Sequence, residues 1–411
     1  AKEKGQRFLA VVWFGSPHEP YSGLDKDLAL YDDLPQEYQQ RTVRLTSMET
    51  GLPTERPQRE VLRERYAEIT AMDRAMGKLR TFLDEAGLRQ NTLVWYCGDN
   101  GTPPEGAATV PFRGVKGAVY EGGVRVPCLM RWPGRLPAGR RLTPIGGAID
   151  LLPTLCGLAG VERVGDRPLD GIDLGPLLRG QTDTLPDRRI FSRTGNRVSL
   201  RTQRWRMDDQ GRLHDMQADP GQKRNVAGDH PAVAAELTSA IAAWRAELLA
   251  DTRDTRPFTV GYRAFPRTWL PSRDAIGSGT IARSSKHPND SFFTNWTNLD
   301  DTLTWDVAVA TEGGYEAIVS YTCAAENVGA ELTLTCGEAS VTHTVDEAHD
   351  PPLIGAEHDR VPREESYVKD FRPLSLGTFH LTPGRQNLVL RGTKRPGPGL
   401  VDVWAVTLVL R

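Results

Sequence analysis

Seven consecutive apolar residues, from Phe8 to Phe14, predict a strand buried on both faces. The run ends in Gly15-Ser16-Pro17-His18-Glu19-Pro20, which cannot continue as a central strand. Residues 15–57, rich in Pro and acidic side chains, read as a long loop. From 60 to 86 the period changes. Leu62, Tyr66, Ile69, Met72, Met76, Leu79 and Leu83 recur at spacings of three and four and make one apolar helical stripe, stopped by Gly87. A second apolar run over 92–97 predicts a strand, and helix followed by strand implies a crossover onto a parallel sheet. Residues 100–123 hold many glycines and two consecutive prolines and read as loop. A strand over 126–131 and a short helix over 149–158 follow.

After residue 190 the pattern becomes one of short antiparallel strands, over 190–191, 198–207 and 213–216. A closing helix over 232–249 carries Leu237, Ile241, Trp244 and Leu248 on one face. A polar linker around 250–258 marks a boundary. Beyond it, seven short runs between turn signals, over 303–310, 315–323, 331–336, 341–345, 376–381, 386–390 and 402–410, predict a β-sandwich or jelly roll. The expected organisation is an α/β part over 1–185, a small antiparallel-sheet and helix subdomain over 186–255, and a β-sandwich over 259–411.

Composition narrows the functional classes. The 411 residues are 39% hydrophobic and 25% charged, with net charge −2, so cores are possible and no basic field exists to gather nucleic acid. No segment reaches the ~18 apolar residues of a membrane span. Five cysteines do not make a disulfide scaffold, although Cys323 and Cys336 flank an expected hairpin and could pair across it. Among the tail aromatics, Trp305 and Trp404 fall in strand-like runs and read as core. Trp296, in a polar loop, is the better candidate for stacking on a sugar.

The densest chemistry follows the 92–97 strand. Asp99 and Asn100 place a carboxylate beside an amide where a strand ends, a donor pair suited to a hard cation such as calcium. A plain Asp-Asn-Gly turn is the competing reading. Lys116 offers a compact positive charge for an anion, or else a solvated loop lysine. His18 also lies just past a strand end, where an imidazole can exchange a proton near neutrality. Glu121 and Arg125 read as bracing for the Lys116 loop. Asp73, in mid-helix, is expected to pack or cap.

These residues sit in a longer series. Ser16-Pro17-His18-Glu19-Pro20, Met72-Asp73, Gly98-Asp99-Asn100-Gly101, Gly114-Val115-Lys116-Gly117 and Glu121-Gly122-Gly123-Val124-Arg125-Val126-Pro127 come in order. Arg131-Trp132-Pro133-Gly134, Asp150-Leu151-Leu152-Pro153-Thr154-Leu155, Asp170-Gly171-Ile172-Asp173-Leu174 and His214-Asp215-Met216 continue it. Over roughly residues 7–250 the chain resembles the formylglycine-dependent sulfatases of the alkaline phosphatase superfamily. The resemblance implies a mixed sheet flanked by helices, with Asp99 and Asn100 as ligands of Ca2+ (Mg2+ less so). It implies His18 and Lys116 as catalytic and substrate-binding residues, and Arg125 and Glu121 as support. It also implies a formylglycine nucleophile made from Cys in Cys-x-Pro-Ser-Arg, preceded by an acidic pair. None of Cys97, Cys128, Cys156, Cys323 or Cys336 has Pro and Arg two and four residues later. The chain therefore reads as a sulfatase lacking its amino-terminal part, expected to be inactive alone and partnered by that missing segment. The expected substrate is a sulfated carbohydrate, and the expected location is periplasmic or secreted. A phosphoesterase or phosphonate hydrolase of the same superfamily, and a non-catalytic glycan-binding protein, are the alternatives. A weaker resemblance likens 259–411 to carbohydrate-binding β-sandwich modules.

Overall fold

A computed structural model of the chain describes residues 5–19, 21–46, 53–163, 165–249, 255–287, 289–358 and 366–411. Pro20, and residues 250–254 of the expected linker, lie outside the described residues. The chain divides into two compact units, Ala1–Leu45 with Thr54–Thr252, and Thr46–Pro53 with Arg253–Arg411.

In the first unit, helix α1 spans Gln58–Glu85. It begins directly after Pro57, whose backbone is still non-helical. Its amino-terminal half buries Val61, Leu62, Ala67 and Met72, whereas Leu79 and Phe82 near its end are exposed. Asp73 is also exposed, so it does not pack into the core. Strand β1, Val94–Cys97, pairs antiparallel with β2, Cys128–Arg131.

Two expectations fail here. The crossover onto a parallel sheet is replaced by this antiparallel pair, and residues 8–14 join no ladder among the described residues. Leu9 and Trp13 of that run are 75% and 90% exposed. An apolar run specifies that a strand wants covering. A strand forms only where a neighbour satisfies its backbone N–H and C=O groups, and among the described residues this run pairs with none.

Helix α2, Leu151–Ala159, ends at Gly160, whose φ of +60° a glycine adopts without strain. Buried Asp150 ties this region together. It accepts two bonds from Arg188, at 2.9 and 2.7 Å, and one each from the amides of Gly147 and Ile172. The expected antiparallel strands appear as a four-stranded meander, β3 Ile190–Thr194, β4 Arg197–Arg201, β5 Trp205–Met207 and β6 Leu213–Asp215. Helix α3, Pro231–Leu248, sets Leu237 against Leu200, Met207 and Leu213, and Trp244 stacks on Phe191 at 5.1 Å.

The second unit consists of two six-stranded sheets whose inner faces share one hydrophobic cluster, the arrangement of a β-sandwich. Strand β7, Thr302–Val309, shows the reason: its residues alternate, with Leu303, Trp305, Val307 and Val309 inward. Trp305 is in the core and donates its indole N–H to the Pro271 carbonyl at 3.0 Å. Trp296 does not serve as an exposed platform, because it is only 3% exposed. Trp404 is half-buried and lies in an aromatic row with Trp269 and Phe371, ring centroids 5.7 and 5.8 Å away. Cys323 and Cys336 do not pair. Cys323 follows β8, Gly313–Thr322, in one sheet, and Cys336 ends β9, Glu331–Cys336, in the other. Burial pushes both thiols up to about 11.

Candidate active site

Strand β1 delivers Asp99 and Asn100 to a loop that is zipped by backbone bonds onto the loop bearing Lys116. The amides of Gly101 and Thr102 donate to the carbonyls of Gly123 and Gly122 at 2.9 and 3.0 Å, and the Lys116 amide donates to Thr102 at 2.8 Å. Glycine is required for this approach. A Cβ on Gly101 would lie 2.1 Å from the Gly122 carbonyl oxygen, and one on Gly123 would lie 2.2 Å from that of Ala118.

The structure brings two of the sequence-predicted residues into direct contact. Lys116 Nζ lies 3.0 Å from His18 Nε2. His18 Nδ1 lies 2.8 Å from the Glu19 carbonyl, so Nδ1 carries a proton and Nε2 can accept one from the ammonium. Both side chains are exposed, open to an anion from solvent. Behind them Tyr21 donates to buried Glu105, and the Gln58 side-chain amide donates to the Glu105 carbonyl at 2.6 Å. Burial, with Glu105 as the acceptor, pushes the Tyr21 phenol well above its usual range. The segment after His18 is thus pinned to the segment after Asn100.

Asp99 is exposed, and its Oδ1 accepts from the Asn100 amide at 2.8 Å, while Asn100 Nδ2 donates to the Gly101 carbonyl at 2.9 Å. Among the described residues, no three His, Cys, Asp or Glu side chains converge as a metal cage. The two side chains fit calcium in kind, as hard oxygens, but not in number, since that ion takes six to eight.

Glu121 and Arg125 do not reach toward this surface alone. Glu121 is 6% exposed and sits in a buried ion cluster. Its carboxylate accepts from Arg206 at 2.8 Å and from Arg125 at 3.0 Å, with Arg201 Nε at 3.8 Å. Its amide donates to Gln222 at 2.8 Å. Arg206 also donates to the Val119 carbonyl and to Ser199, each at 3.0 Å, and Arg197 donates to Gly117 at 2.9 Å. Desolvation lowers both guanidiniums, Arg201 to about 10, and the Glu121 carboxylate opposes that shift. The β3–β6 meander therefore clamps both flanks of the Lys116 loop. Sequence reasoning missed Arg206, Ser199 and Gln222. Arg206 lies between Trp205 and Met207 in a strand, and nothing in its spacing marks it.

A second charged cluster abuts the first. Asp208 is buried and accepts from Arg212 Nε at 2.8 Å and from the amides of Gln210 and Arg212, both at 2.9 Å, with His214 Nε2 at 3.3 Å. Desolvation raises its carboxyl, but the bonds from His214, Arg212 and Gln210 outweigh that and hold it well below the usual range. A depressed folded value contributes stability above the unfolded value of ~3.9 and loses it as pH falls below that toward the folded value. Asp208→Asn is expected to flatten the loss of the first unit's thermal midpoint between about pH 4 and pH 2. An unchanged acid slope would show that other carboxylates set it.

Residues 1–161 match the family model described as Sulfatase. The chain is 45% identical over 121 residues to mouse steryl-sulfatase, covering 27% of this chain and 19% of that protein. It is 38% identical over 142 residues to mouse N-acetylgalactosamine-6-sulfatase, covering 33% of this chain and 27% of that protein. The chain thus spans about a quarter or less of these relatives. Among solved structures, Ps i-CgsB overlaps 56% of this chain and 48% of its own, at 24% identity and a TM-score of 0.47. The phosphonate monoester hydrolase of Agrobacterium radiobacter overlaps 46% of this chain and 42% of its own, at 23% identity and a TM-score of 0.36. Residues 1–161 are thus similar to the sulfatase family.

Proposed function

We propose that the chain carries part of the active site of a sulfuric ester hydrolase acting on sulfated carbohydrate. The observation that carries this reading is the His18–Lys116 pair, 3.0 Å apart and exposed beside the Asp99–Asn100 loop. The Lys116 ammonium and His18 Nε2, which carries a proton only in the imidazolium form, lie close enough to reach two oxygens of one sulfate group. Lys116 holds the anion and neutralises charge that grows as the ester S–O bond breaks. His18 gives a proton to the leaving alcohol, a role its exposure and rigid backing allow. Asp99 and Asn100 would hold calcium together with further oxygen donors, and that ion would supply electrostatic polarisation of the sulfate.

The nucleophile in this proposal is a formylglycine outside the 411 residues, because no cysteine here has the motif that yields one. Splitting the hydrolysis through a covalent intermediate is the chemistry that group supplies. The carbohydrate substrate is supported by the N-acetylgalactosamine-6-sulfatase name of a relative. The periplasm or the extracellular space is the proposed location, as for enzymes that meet such polymers.

The reading is tested by two measurements on the purified chain. Turnover of 4-nitrophenyl sulfate is expected to be absent, while inorganic sulfate is expected to shift the His18 imidazole resonances in a saturable way. Turnover that disappears in Lys116→Ala would overturn the external nucleophile. A His18 signal indifferent to sulfate would remove the site itself.

A further inference from the structure

Cys97 and Cys128 occupy facing positions on β1 and β2, in direct register. The next pair outward is Gly98 and Pro127, and there the Gly98 amide donates to the Pro127 carbonyl at 3.1 Å. Hydrogen-bonded pairs alternate along an antiparallel ladder, so the Cys97–Cys128 rung is a non-hydrogen-bonded one. Such a rung holds its Cα atoms about 4.5 Å apart with side chains on the same face, inside the ~4.4–6.8 Å that a disulfide spans. The two thiols also sense each other. Desolvation of the sulfur pushes Cys128 upward although the residue as a whole is exposed, and Cys97 adds to that shift. The remaining cysteines are placed differently: Cys323 and Cys336 are buried in the second unit, and Cys156 lies in α2.

We propose that Cys97 and Cys128 form an oxidisable pair that closes into a cross-strand disulfide two residues before Asp99. The oxidant is a low-molecular-weight disulfide such as oxidised glutathione. One cysteine thiolate attacks a glutathione sulfur, breaking that S–S bond, forming a mixed disulfide and releasing one glutathione thiolate. The second cysteine thiolate then attacks the protein sulfur of the mixed disulfide. The Sγ–Sγ bond forms, a second glutathione thiolate leaves, and the two protons lost by the cysteines pass to the two thiolates. Two protein thiols are oxidised by two electrons and one glutathione disulfide is reduced. The closed rung fixes β1 against β2 at the point where the chain turns into the Asp99–Asn100 loop, so the same loop exists in a reduced, breathing form and an oxidised, clamped one.

The test is a peptide map of the whole chain after exposure to oxidised glutathione, alkylated and digested with trypsin without reduction. The expected product joins the peptides 90–113 and 126–131, with a loss of about 2 Da relative to the two thiols, and dithiothreitol restores both. Facing sulfurs meet at an effective concentration of at least about millimolar, so the Cys97–Cys128 link should exceed a Cys97–Cys156 link by about tenfold or more. In Cys156→Ser the link should persist, and in Cys97→Ser only a glutathione adduct on Cys128 should remain. The preference should vanish when the chain is oxidised in urea. Glutathione adducts on Cys97 and Cys128 of the folded chain without the joined peptide, or equal linking to Cys156, would overturn the proposal.

Discussion

Glu121→Ala is expected to lower the local stability of the Lys116 loop by about 3–5 kcal/mol, because it strands the Arg206 guanidinium in a buried place without its carboxylate. Arg206 would keep its bonds to the Val119 carbonyl and Ser199, but neither carries the compensating charge. Arg125 is half exposed and adds little to this figure. The chain has two units, so a single unfolding midpoint would blend them. Amide hydrogen exchange over 115–124 and 199–207 reads the right region. Both segments should lose protection together, since one carboxylate joins them. A double variant, Glu121→Leu with Arg206→Met, should recover part of the loss, because it removes the Arg206 charge while Arg201 still loses its carboxylate neighbour. Loss of protection confined to 115–124 would show that the meander does not clamp the loop.

Lys116→Ala is expected to weaken sulfate binding by about tenfold to hundredfold at low salt, the weight of a charge-assisted hydrogen bond. The His18 imidazole shift reports it directly, because Nε2 loses its ammonium neighbour and the anion in one step. Lys116→Arg should recover only part of the affinity, since a planar fork on a longer stem does not reproduce the point charge at that spacing. Added sodium chloride should weaken binding in the parent chain more than in Lys116→Ala, as screening acts on an exposed cation. Equal affinity in parent and variant would move the anion site away from the pair.

What the sequence determined by itself was largely local. The period of Leu62, Tyr66, Ile69 and Met72 gave helix α1, because a 3.6-residue repeat of apolar side chains has one economical conformation. Alternation over 302–309 gave a strand with Leu303, Trp305, Val307 and Val309 inward, since successive side chains of a strand point to opposite faces. The glycines around Lys116 and the order of the motifs pointed to a sulfatase loop, whereas only the fold sets Lys116 against His18, 98 residues away. Tertiary structure alone decided what depends on partners distant in sequence. The run over 8–14 carries the apolar content of a buried strand, but pairing needs a neighbour that no local pattern names. Trp296 stands in a polar loop and is nonetheless buried, whereas Trp269 in a strand is 44% exposed, because burial is a property of what packs above a residue. Arg206 looks like any strand arginine until the fold sets it against Glu121, 85 residues earlier, in a place that water does not reach. Likewise Cys97 and Cys128 are ordinary in the sequence, and only the register of β1 on β2 makes them face each other.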